Sequence, residues 1–65
     1  MIRDRINERM DQLQNLMESN QHLVHPETCI DLIHSVSKFW SVLSDEDRDY
    51  IHAAQWAIEE QTPWK

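Results

Sequence analysis

Sixty-five residues with no glycine, one cysteine and a net charge of −6 exclude several classes of protein at once. Phosphate-cradling loops and dinucleotide fingerprints need glycine to bring backbone N–H groups close to the ligand, so both are ruled out, and two-residue hairpins are disfavoured. A chain this short buries only about 60% of its unfolded surface, and with Cys29 alone it forms no internal disulfide, which leaves helix packing, a metal or a partner to stabilise it.

Charges run through residues 1–20, so no apolar signal segment follows the first Met, and nowhere do about 18 apolar residues run together. A single thiol fits a reducing compartment. The expectation is one complete, soluble, cytoplasmic domain over residues 1–65 that makes no membrane contact.

Taken in chain order, the apolar residues predict three helices. In the first, over residues 2–19, Ile2, Ile6, Met10, Leu13, Leu16 and Met17 share an arc of about 120° on a helical wheel, the pattern of an amphipathic helix packed on a neighbour. The same stripe, with its two adaptable methionines, also offers a route to a homodimer. Ser19 to His25 form the connection, where Leu23 and Val24 are expected to turn inward. Pro26 suits a first helical turn, and Glu27 beside it favours the positive end of the helix dipole. From there Cys29, Leu32, Ile33, Val36, Phe39, Trp40 and Leu43 form one broad face of a central helix over 26–43, and Trp40 is expected in the core. Ser44 reads as an N-cap with Asp45, Glu46 and Asp47 behind it, opening a third helix over 45–61. Tyr50, Ile51, Ala54, Ala57 and Ile58 form its inward stripe, and Pro63 ends it. The fold class is all-α, a small three-helix bundle.

A helix, a short turn and a helix suggest a DNA reader, but the second helix would have to approach phosphates. Residues 44–60 hold six carboxylates against Arg48 alone, a charge of −5. Nucleic-acid binding needs a basic footprint, so no direct contact with DNA or RNA is expected, and an anionic chain is better matched to a larger, basic protein.

His22, His25 and Cys29 have a spacing that superficially resembles zinc ligands, with Asp31 in reach. A structural zinc needs four ligands, and a second pair is missing. Cys29 lies on the apolar arc, where a free cysteine behaves as a small hydrophobe and its thiol is not activated. No metal, no cofactor and no enzymatic activity are expected.

Trp56 is the residue that stands apart. On the third helix it falls nearly opposite the inward stripe, among Asp49, His52, Glu59 and Glu60, and tryptophan is enriched at the energetic centres of interfaces. Trp64, after Pro63, either docks back as a C-terminal tie or extends that surface as a second anchor. The expected protein-binding residues are therefore Trp56, His52, Asp49, Glu59, Glu60 and Trp64. The expected function is that of a small acidic adaptor, accessory or inhibitor, of the kind common among phage and bacterial regulators. Two alternatives stand beside it: an acidic mimic of nucleic acid that blocks a basic groove, and a purely structural homo-oligomer.

Overall fold

The computed structural model describes residues 2–64, and the side chain of Ile2, expected on the first apolar stripe, lies outside the described set. Among the described residues there are three helices, α1 (Ile2–Glu18), α2 (Pro26–Ser37) and α3 (Asp45–Glu60), with single 3-10 turns at Gln21–Leu23 and Trp40–Val42. No strand occurs among the described residues. This is the small all-α bundle that the periodicity predicts. None of its helices is long and apolar enough to cross a membrane.

The α1 stripe is buried to the depth its pattern implies, with Ile6 and Met10 at 2% and 3% exposure and Leu13 and Met17 at 0%. It meets Cys29, Ile33 and Val36 of α2 and Ile51, Ala54, Ala57 and Ile58 of α3 in one continuous core. Leu16, at the edge of the stripe, is half-buried against this core. The accessible surface of 4535 Å² is close to the value of about 4400 Å² expected for a folded monomer of this mass. A radius of gyration of 11.0 Å likewise matches the roughly 11 Å of a compact chain of this length.

Helix ends in a glycine-free chain must use other residues for the left-handed position. Asn20 (φ 58°) takes it after α1 and Gln61 (φ 55°) after α3; asparagine tolerates this region because its short side chain bonds locally. At Gln61 the closure is a Schellman motif, with the Thr62 N–H on the Ala57 carbonyl at 3.0 Å and the Gln61 N–H on the Ile58 carbonyl at 3.2 Å. Ser44 opens α3 as expected, its Oγ accepting from the Asp47 N–H at 3.2 Å.

Two details differ from the sequence expectation. First, α2 stops at Ser37 and does not run to residue 43. Packed helices lie about 8–10 Å apart, and a single linking residue lets the chain reach only about 7 Å between helix ends, so helices ending at 43 and starting at 45 could not pack side by side. Residues 38–44 supply the missing span, through the Trp40–Val42 turn and an extended Leu43. Second, Leu23 and Val24 are 42% and 66% exposed, and His22 is the inward residue at 1%. A 3-10 turn places successive side chains about 120° apart, so only one of the three can face the core. Histidine wins that place because a carbonyl is waiting for it.

That carbonyl belongs to Thr62. His22 Nε2 donates to it at 2.7 Å, since a carbonyl oxygen can only accept. The tail is held twice more: the Trp64 N–H donates to Asn20 Oδ1 at 2.8 Å, and the Trp64 ring packs on Tyr50 with centroids 5.1 Å apart. Chain ends fray unless tied, and this one is tied to the α1–α2 connection. Trp64→Ala is expected to cost about 1–2 kcal/mol through lost aromatic area and stacking. Thermal unfolding followed by circular dichroism checks this.

Candidate protein-binding surface

The outward side of α3 carries the features singled out in the sequence. Trp56 is 59% exposed, and Asp49, His52, Glu59 and Glu60 are all exposed. At about 100° per residue, positions seven and four before Trp56 and three and four after it share its side of the helix. Trp56 is therefore ringed by three carboxylates and an imidazole. Gln55 Nε2 donates to Glu59 Oε1 at 3.4 Å, which leaves that carboxylate with capacity for another donor.

The surface continues past α3. The His52 ring stands edge-on to Trp40, with centroids 5.2 Å apart and planes at 83°. Trp40 is half-buried and so differs from the plain core residue expected of it. Its other neighbour is Arg48, whose guanidinium carbon lies 5.7 Å from the Trp40 ring centroid and whose Nε donates to the Trp40 carbonyl at 3.0 Å. Arg48 also reaches Asp45 at 3.7 Å, with Asp45 98% exposed; a pair so open to water contributes little by itself. Trp40, His52 and Trp56 thus form an aromatic strip from the α2–α3 corner along α3. Trp40 and Arg48 were not legible as part of it. Arg48 lies on α3 one turn before His52, but Trp40 sits on a different element that no helical wheel relates to α3, and its meeting with Arg48 and His52 depends on where α2 ends.

Trp64 is not brought to this strip. It rests on Tyr50, about a third of a turn around α3 from Trp56. The other residues with chemical potential are also separated. His22 is buried against Thr62, His25 is exposed, and Cys29 is fully buried. Among the described residues no three His, Cys, Asp or Glu side chains gather as a metal-binding group. Burial pushes the Cys29 thiol above its usual value, which reduces the thiolate that a nucleophile needs.

Tyr50 is similarly perturbed: burial first, and then the Glu18 carboxylate, raise its phenol above the ordinary tyrosine value. The folded state therefore holds this proton more tightly than the unfolded chain does. The resulting stability is complete below the ordinary tyrosine range at about pH 10 and is lost as pH rises through the folded value. Tyr50 is the only tyrosine, so an absorbance titration of the folded protein should show one late transition. Denaturant midpoints should fall in step above about pH 10.

No family model matches the chain, and comparison with curated proteins and with solved structures gives no match.

Proposed function

We propose that this protein is a small, acidic, non-enzymatic interaction module that regulates a larger, basic protein in the cytoplasm by occupying part of its surface. The contact is made by the outward side of α3, with Trp56 as the anchor and Asp49, His52, Glu59 and Glu60 around it. One observation carries the reading: Trp56 is 59% exposed, whereas Trp40 and Trp64 are both packed against the bundle. A large indole held in water loses the stabilisation that burial would give it, about 25 cal/mol per Å² of apolar area. Docking against an apolar pocket recovers that stabilisation, and the surrounding carboxylates favour a pocket with a basic rim. The experiment is affinity capture from the native host with the wild-type chain and Trp56→Ala side by side. Loss of a specific protein from the variant, at unchanged helicity, supports the reading; identical recovery by both removes it.

A second reading has its own observation. Asp45, Asp49, Glu59 and Glu60 fall on one side of α3 along a length of about 22 Å, given a rise of 1.5 Å per residue. A row of carboxylates on that scale suits a groove built for phosphates, which is nucleic-acid mimicry. Mimicry predicts binding that weakens steeply between 0.1 M and 0.5 M salt as screening shortens. A Trp56-anchored contact keeps most of its affinity over the same range.

A further inference from the structure

Three of the cations meet on one side of the bundle, apart from the carboxylates of α3. Arg5 and Arg9 on α1 and Lys38 just beyond α2 line a groove of about 200 Å³ together with Ser35 and Phe39. Arg5 and Lys38 are exposed, and Arg9, Ser35 and Phe39 are half-buried. None of the three cationic side chains has a hydrogen bond or ion pair among the described residues. Glu8 lines an adjoining groove with Arg5 and Arg9. Two guanidiniums one helical turn apart are suited to gripping carboxylates, since each presents a planar fork of donors. Phe39 gives the groove an apolar wall.

The outward side of α3 is the complement of this groove in sign, and it carries an apolar group beside its charges: consecutive Glu59 and Glu60 next to the exposed Trp56 indole. We infer that the groove receives the α3 face of a second copy of this chain, with Glu59 and Glu60 on Arg5, Arg9 and Lys38 and the Trp56 ring against Phe39. Charge complementarity selects that occupant, because both halves of the pair are carried by the same chain. The inference rests on the reading of α3 as the docking face and adds a consequence to it. Self-association covers the surface that the larger partner needs, so the two compete, and the free chain masks itself as its concentration rises.

The two patches are different surfaces, so two copies either engage both pairs at once in a closed two-fold dimer or use one pair each and repeat head-to-tail. The average mass should rise above one chain as the concentration is raised in low salt. It should return to one chain in 1 M salt, where the screening length falls to about 3 Å.

The experiment uses sedimentation equilibrium on the full chain and two complementary variants, each checked for helicity. Arg9→Glu spoils the groove and leaves α3 intact; the double variant Glu59→Arg with Glu60→Arg spoils α3 and leaves the groove intact. Each alone is expected to remain a single chain. Mixed in equal amounts, they are expected to form a complex of two chains and no larger, because only one productive contact remains. Lys38→Glu replaces Arg9→Glu should the latter fail to fold. A wild-type chain that stays at one chain up to 1 mM in low salt overturns the inference, as does a mixture that forms no complex. This failure is distinguishable from failure of the partner reading, since Arg9→Glu leaves Trp56 in place and should still capture the larger protein.

Discussion

Trp56→Ala is expected to leave the bundle folded and to weaken partner binding by about 30-fold or more, the effect of removing an interface anchor worth 2 kcal/mol or above. The two halves of this expectation have different physical sources. Trp56 is 59% exposed, so its truncation opens no cavity, and substitutions at such positions usually change stability by no more than about 0.5 kcal/mol. Binding is different because the indole is desolvated only in the complex, where it has large apolar area and few torsions to immobilise. Circular dichroism melts give the first half and a titration against the captured partner gives the second. His52→Ala should show a smaller loss, since its ring is already engaged with Trp40.

Leu13→Ala is the counterpart in the core. Leu13 is 0% exposed and lies in the stripe that joins α1 to the rest of the bundle. Leucine-to-alanine changes at such sites cost about 2–5 kcal/mol, because the packing around the lost methyls relaxes only in part. A 65-residue chain has roughly 3–10 kcal/mol in total at 0.05–0.15 kcal/mol per residue. The variant should therefore melt at least about 10 °C lower, by the usual 4–8 °C per kcal/mol for domains of this size, or lack a cooperative transition altogether. Melting in parallel with Trp56→Ala places the two residues in different roles: one variant loses the fold, the other loses the partner.

The parts of this molecule that local chemistry decides were legible in its sequence. The α1 stripe follows from apolar spacing alone, the Ser44 cap from a side-chain oxygen facing free N–H groups, and the exposed side of α3 from the angle between Trp56 and Ala54. What was not legible depended on tertiary reach. The end of α2 is set by the distance the chain must cross to begin α3, a constraint that no residue in 38–43 announces. His22 turns inward in place of Leu23 because the Thr62 carbonyl, forty residues on, accepts its proton. The hydrophobicity of Leu23 and Val24 pointed the other way, and a specific hydrogen bond in the core outweighed it. Trp40 illustrates the same limit at the candidate surface. Its place beside His52 and Arg48 follows from the turn after α2, and its apolar character alone assigned it to the interior.

The tail shows how the two kinds of information combine. Pro63 after a left-handed Gln61 fixes the direction in which the chain leaves α3, and Asn20 and Tyr50 then receive Trp64. Trp64 is thereby held to the bundle, and Trp56 is left as the indole most open to water. The role proposed for α3 depends on that division among the three tryptophans.

A nitrogen–proton correlation spectrum of the labelled chain resolves the three indole N–H groups, and titration with the captured partner reads each one separately. The Trp56 indole is expected to shift or broaden first and most, with Trp40 following weakly through His52 and Trp64 unchanged. A spectrum in which Trp64 responds while Trp56 stays fixed would contradict the role proposed for α3.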